Sequence, residues 1–367
     1  MQKKNIRFIS SVIAIAMVSM TLVTGCGSKE KPSSEPATPV EQATEEAEVE
    51  ATTDSESTEE VKIGWYAPAS NQYTDSVGQA AEQFGKDYGV DVRIIYGDPE
   101  QATMDNSIRS MVADGYTNIT SFPATEGAAG LYDELVSQNI NVVSYGASTS
   151  VGSEMLCVAS DAEAAAYAAC DVIIDAMGGK GNILNVLEVL TDSNTLKRRD
   201  GVNKCIADHD GVELVQEVAD INTIDEGVTK ISSALSANEG KIDGIVCTGT
   251  GSSSAAVQVL YDYYARNENA DPIYLICIDT ADDVIKGIED GVVYGTMAQN
   301  VDAHGYVSCA LLYYMASEGY VPAEDQFLVD SGVVLVTKDN LDSYKDDLDA
   351  LTKSITDELT TKYLVKP

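Results

Sequence analysis

Asp279 is the reactive group with the clearest placement in this chain. It follows Ile273 to Ile278, a continuous apolar run that suits a strand buried on both faces. A short helix is expected from Thr280 or Ala281, with Val284, Ile285 and Ile288 on its apolar side and Gly291 at its end. A lone carboxylate at the carboxyl end of a buried parallel strand is where open α/β sheets bind ligands. It could equally cap the helix that follows. Other chemistry is sparse. Only two histidines occur: His209 reads as a solvated residue of the turn-like Asp208-His209-Asp210-Gly211, and His304 as one touching core or crossover. Neither GxSxG nor HExxH is present, so no enzyme is expected. Gly249-Thr250-Gly251-Ser252 follows a strand and offers amides at a helix start. It lacks the Lys of a phosphate loop, and Ser254 replaces the third Gly of a dinucleotide fingerprint. Cys157, Cys170, Cys205, Cys247, Cys277 and Cys309 form no CxxC, and no His is read at ligand spacing from them. They read as small buried hydrophobes; no metal, no cofactor and no particular disulfide is expected.

The ends of the chain call for different handling. Lys3, Lys4 and Arg7 precede an apolar run, Phe8 to Val23, as in an export signal. Leu22-Val23-Thr24-Gly25-Cys26 resembles a bacterial lipobox, which implies cleavage before Cys26 and a diacylglycerol on its thiol. Residues 1–25 are thus expected to be removed. Residues 26–60, rich in Ser, Pro, Thr, Ala and Glu, read as a disordered acidic stalk with a reach on the order of 30 Å. The protein would then be extracytoplasmic, anchored to the outer face of the cell membrane by lipid only. A net charge of −36 argues against nucleic acid and against docking on anionic lipid.

The elements that must position Asp279 alternate along the chain. Strands are expected at Val61–Tyr66, Val90–Tyr96, Asn118–Phe122, Ile140–Ser144 and Met155–Ala159, with helices between them. A second such run has strands at Asn182–Val189, Val212–Val218, Ile242–Cys247 and Ile273–Ile278, and ends near Met297. This is an α/β chain with two similar lobes built on parallel sheets. A helix from Asp302 to Ser317, a strand at Val333–Val336 and an acidic amphipathic helix from Asn340 to Tyr363 remain.

The order of these features resembles the type I periplasmic binding proteins, in particular the ribose- and galactose-binding subunits of ABC transporters. Asn71-Gln72-Tyr73-Thr74, Ser121-Phe122-Pro123, Ala159-Ser160-Asp161, Arg198-Arg199-Asp200-Gly201-Val202, Ile278-Asp279 and Ala298-Gln299 carry the likeness, over Val61 to Lys338. The resemblance implies two Rossmann-like lobes joined by a three-strand hinge. The first lobe would hold 61–159 and 301–332, the second 160–300 and 333–367 with the C-terminal helix. It also implies a ligand cleft with Asn71, Tyr73, Phe122 and Tyr145 from the first lobe, Arg198, Gly249 and Asp279 from the second, and Gln299 at the hinge.

Planar polar groups each hold two sugar hydroxyls, and aromatic rings cover apolar sugar faces. Trp65 and Tyr66 lie close enough to the first loop to join Tyr73 there, although Trp65 equally suits strand core. The chain departs from the family at Phe122, Tyr145-Gly146 and Gly249, where polar contacts are usual. The implied ligand is therefore a sugar or derivative that is flatter or less hydroxylated than a plain pentose. The implied partner is an ABC permease, and a monomer is expected. A ligand sensor for a receptor kinase, or a nucleoside-like ligand, are the alternatives.

Overall fold

In the computed structural model, which describes residues 60–367, the apolar runs assemble into two six-stranded sheets. The leader, Cys26 and the stalk to residue 59 lie outside the described residues. The first lobe runs β1 (Lys62–Ala67), α1 (Gln72–Tyr88), β2 (Asp91–Tyr96), α2 (Gln101–Ala113), β3 (Asn118–Ser121), α3 (Ala128–Ser137), β4 (Asn141–Tyr145) and β5 (Leu156–Ala159). The second runs α4 (Ala162–Ala176), β6 (Gly181–Val186), α5 (Ser193–Asp208), β7 (Val212–Val218), α6 (Ile224–Ala237), β8 (Gly244–Cys247), α7 (Thr250–Arg266), β9 (Tyr274–Ile278), α8 (Asp282–Asp290) and β10 (Gly295–Gln299). The strands of each run pair in parallel, in the orders β5-β4-β3-β1-β2 and β10-β9-β8-β6-β7. This is the doubly wound α/β architecture expected from the alternating pattern.

The chain then crosses back. Helix α9 (Val301–Glu318) packs on α1 and β4 in the first lobe. β11 (Val321–Pro322) follows, and β12 (Leu328–Asp330) adds to β5 in parallel. β13 (Val333–Val336) returns to the second sheet and pairs antiparallel with β10. The crossings lie at Ala159–Asp161, Gln299–Val301 and Asp330–Val333. They are tied together by Ser331 N to Ala159 O at 3.0 Å, Asn300 N to Gly332 O at 3.3 Å and Asp161 N to the Asp330 carboxylate at 3.0 Å.

The C-terminal segment differs from the expectation that places it in the second lobe. Helix α10 (Tyr344–Glu358) packs Leu348 on the second lobe's core, but Ile355, Leu359, Tyr363 and Leu364 are buried in the first. The last strand, β14 (Leu364–Val365), pairs with β11. The apolar stripe read as one packing face therefore serves two cores in succession.

No helix of the described residues is long and apolar enough to cross a membrane. The six cysteines among them are buried free thiols.

Candidate functional site

The two lobes meet just past the carboxyl ends of β4 and β6. The lobes touch there: Asn194 Nδ2, at the start of α5, donates to Gly146 O just after β4 at 3.5 Å.

Asp279 ends β9 in the left-handed region, with φ of 72°. Asp tolerates that region better than most residues, and such departures gather at functional sites. Its backbone is fixed on both sides, by Asp279 N to Met297 O at 3.0 Å and Thr296 Oγ1 to Asp279 O at 2.6 Å. The side chain does not cap α8, whose first residue is preceded by Ala281 with no side-chain cap. It accepts instead from Gln299 Nε2 at 2.6 Å and from Thr250 Oγ1. Asp279 and Gln299 are therefore one unit, and Thr250 belongs with them.

Arg198 enters from α5, whose first turn is capped by Asp192 accepting from Thr195 N at 2.6 Å. Its Nη1 donates to Thr248 O at 3.0 Å, on the β8–α7 loop that also carries Gly249 and Thr250. Its Nε is buried and has no partner among the described residues. A buried guanidinium donor without a partner carries a desolvation cost.

Glu188 was not a sequence candidate. It stands two residues past β6, inside the strand expected over Asn182–Val189, so no strand-end signal marked it. Its carboxylate accepts from Gly251 N at 2.8 Å and Ser252 N at 3.4 Å, at the amino end of α7. Gly249 leaves room for Glu188: a Cβ there would stand 2.2 Å from the Glu188 carboxyl carbon and would displace this carboxylate from the amides. Gly249 thus makes room and offers no side-chain contact of its own. Glu188 also gives the physical reason to reject a phosphate loop, since an internal anion already holds the amides a phosphate would use.

The first lobe's wall is less polar. Tyr73 and Phe122 meet edge to face at 6.3 Å between ring centroids, and both are partly exposed. Asn71 caps α1, its Oδ1 accepting from Thr74 N at 3.1 Å while Thr74 Oγ1 accepts from Asn71 N at 3.0 Å. Its Nδ2 and one lone pair of Oδ1 remain for a ligand. Tyr145 does not reach the cleft. Its ring stacks on Trp65 at 5.4 Å and its hydroxyl donates to Tyr66 O at 3.0 Å, wholly inside the first lobe's core. Trp65 and Tyr66 are core as well: both are fully buried, and the Tyr66 hydroxyl donates to Asp98 O at 3.0 Å. Both faces of this sheet are covered, so Trp65 and Tyr145 bury in one core cluster and Tyr66 in the other.

Behind Tyr73 lies a hydrogen-bonded chain built around His304. Tyr73 Oη meets His304 Nδ1 at 2.9 Å, His304 Nε2 meets Ser331 Oγ at 3.0 Å, Ser331 Oγ meets Ser160 Oγ at 2.9 Å, and Ser160 Oγ reaches Gly332 O at 3.2 Å. The terminal carbonyl can only accept. One direction therefore makes every bond: tyrosine donates to Nδ1, Nε2–H donates to Ser331, and each serine donates onward. Burial lowers the His304 pKa to about 4, so the ring is neutral as this direction requires. Burial raises the Tyr73 hydroxyl pKa, helped by the charge of Asp279 from the opposite lobe. Ser160 and Ser331 lie on two of the hinge crossings, so a cleft residue is wired directly to the hinge.

Arg198, Asp279 and Gln299 thus gather around the β8–α7 loop, facing Tyr73 and Phe122. A separate groove of about 760 Å³ lies between α1, α9 and α10, lined by residues such as Gln79, Asp302, Tyr306 and Lys353. It touches none of these strand ends and is not the cleft.

Two sheets with three crossings and a polar strand-end cleft define a bilobal solute-binding protein. The chain belongs to the family described as periplasmic binding protein domain, which matches residues 65–319. That family is one of binding proteins, not enzymes. A curated relative, the xylitol-binding protein of Mycolicibacterium smegmatis, is 23% identical over 185 residues, 50% of each chain. The match thus spans about half of that relative's length. Among solved structures, an ABC transporter solute-binding protein from Burkholderia graminis in complex with D-arabinose superposes with a TM-score of 0.66, at 20% identity, over 78% of this chain and 98% of that one. A periplasmic ribose ABC transporter protein from Conexibacter woesei gives 0.70 at 16% identity, over 78% and 95%. At these identities the likeness shows the fold, which is the type I arrangement that the sequence motifs implied.

Proposed function

We propose that this protein captures a neutral, polyhydroxylated small molecule, a sugar or sugar alcohol, between its lobes and delivers it to an ABC importer. The observation that carries this reading is the cluster of Arg198, Asp279, Gln299 and Thr250 around one loop, with the Asp279 charge acting on the hydroxyl of Tyr73, whose ring meets Phe122. Donors and acceptors that each serve two hydroxyls face an aromatic surface that can cover a C–H face. Two carboxylates, Asp279 and Glu188, beside one guanidinium disfavour an anionic ligand. The relatives named for xylitol, D-arabinose and ribose bind ligands of this class. Because Tyr145 turns inward, the case for a flat ligand rests on Phe122 with Tyr73, so one less hydroxylated face is proposed rather than a planar molecule. Asn71 would contribute its amide nitrogen and the remaining lone pair of its capping oxygen.

The remaining parts of the proposal follow from the sequence. Cleavage before Cys26 and lipidation of its thiol would hold a monomeric binding protein at the outer face of the membrane, near its permease. Closure by hinge motion would bury the ligand.

A thermal-shift screen over pentoses, hexoses, polyols, nucleosides and amino acids tests the ligand class, since a tight ligand raises apparent stability by mass action. Neutral sugars or polyols are expected to lead. Free ribose as the tightest of the panel would contradict the less hydroxylated face, and an amino acid or nucleoside in first place would contradict the class.

A further inference from the structure

On the outer side of the second lobe, well away from the strand-end cleft, α4 and α5 are pressed together at Gly201. A Cβ at this position would stand 2.2 Å from Glu163 O, so only glycine lets the helices approach this closely. The approach brings Asp171 of α4 against the last turn of α5. One donor atom from each of Asp171, Cys205 and His209 lies within 4.8 Å of the other two. Against the expectation that no histidine stands at ligand spacing from a cysteine, Cys205 and His209 are one helical turn apart and on one face. His209 is also not a solvated loop residue, since it closes α5 and is half-buried.

The hydrogen bonds orient the imidazole. His209 Nδ1 lies 2.8 Å from Cys205 O, a group that can only accept, so Nδ1 carries a proton. A backbone carbonyl on one ring nitrogen is the arrangement that prepares the other as a metal ligand. That other nitrogen, Nε2, faces Asp171 Oδ1 at 3.2 Å. A lone pair and a carboxylate oxygen this close require a cation between or upon them, either a proton or a metal. Two such ligands around tetrahedral zinc are roughly 3.4 Å apart. The buried thiol of Cys205 adds the soft donor that favours a metal over a proton, and Cys205 Sγ lies 3.9 Å from the His209 ring.

We propose that Asp171, Cys205 and His209 form a site for a zinc-class divalent cation that clamps α5 to α4. The thiol gives up its proton on binding and closes by about 1 Å to reach the metal. Half-exposed Asp171 and His209 leave the fourth position to water. Because α5 also carries Arg198, the clamp steadies the helix that presents this side chain to the cleft.

Cys170 supplies the rival chemistry. Its thiol contacts that of Cys205, and oxidation to a Cys170–Cys205 disulfide would use the same sulfur. The test uses the full chain without an added metal-binding tag, reduced and stripped with chelator. Zinc is titrated in competition with a chromophoric chelator, and cobalt(II) is used as a spectroscopic probe. One equivalent of zinc is expected, with a near-ultraviolet thiolate-to-cobalt band. C205S should weaken binding at least 100-fold, H209Q and D171N at least 10-fold, and C170S little. Absence of a stoichiometric site in the reduced wild type overturns the proposal, as does C205S binding zinc as well as wild type does. Should C205S fail to fold, the cobalt spectrum of wild type decides: a bound ion without the thiolate band overturns the site.

Discussion

At the scale of single residues, the site is a set of groups whose partners are partly internal and partly missing. Asp279 holds Gln299 and Thr250, which prepares it to meet ligand hydroxyls without moving. Asp279→Ala is expected to abolish binding in calorimetry while leaving the ligand-free melting temperature within a few degrees. Arg198 has a buried Nε with no partner, so Arg198→Ala should weaken binding by on the order of 2 kcal/mol, as lost charge-assisted contacts do. A fall in melting temperature with unchanged affinity would make Arg198 structural. His304 gives a pH prediction. Its folded pKa, about 4, lies below the ordinary 6.5, so the unfolded chain takes up the proton first as pH falls. Its contribution is complete above about pH 6.5 and is lost toward pH 4, amounting to about 3 kcal/mol. Urea midpoints across that window should therefore depend less on pH in His304→Gln than in wild type; identical slopes would contradict this.

At the scale of elements, legibility tracked periodicity. Continuous apolar runs such as Ile273–Ile278 and alternating helices made the sheets readable, and β7 and α6 fall where the pattern puts them. Side-chain direction at strand ends was not readable. Tyr145 ends β4 and Phe122 follows β3 at the same level of the parallel register, yet one ring packs in the core and the other is partly exposed. Glu188 was missed because the apolar pattern carries the expected strand on to Val189, whereas β6 ends at Val186 and leaves Glu188 beyond it. The pairing of Cys205 with Asp171 was hidden because it depends on helix packing at Gly201. The two short strands β11 and β14 were missed because two residues carry no periodicity. The C-terminal segment was misassigned for a related reason: one amphipathic stripe does not say how many bodies it covers. Its outcome is testable. Leu359 is fully buried in the first lobe, so Leu359→Ala should cost about 3 kcal/mol in denaturant unfolding. A change below 0.5 kcal/mol or so, the range of surface substitutions, would mean that the tail does not hold that core.

At the scale of the whole molecule, the account describes a clamp with a ligand sensor at its pivot. Tyr73 touches the cleft, and its hydroxyl leads through His304 and Ser331 to Ser160 on the crossing strands. We propose that this chain of bonds links ligand binding to lobe angle. His304→Ala, which cuts the chain of bonds, should reduce the ligand-induced decrease in radius of gyration seen by small-angle scattering, while Asp279 still binds. The central claim is that one neutral polyhydroxylated molecule sits between Asp279 and the rings of the first lobe. Titration calorimetry of the best sugar or polyol from the screen, into wild type and Asp279→Ala side by side, tests it most directly. The account predicts a single saturable site in wild type and no measurable heat in the folded variant; equal affinity in the two proteins would contradict it.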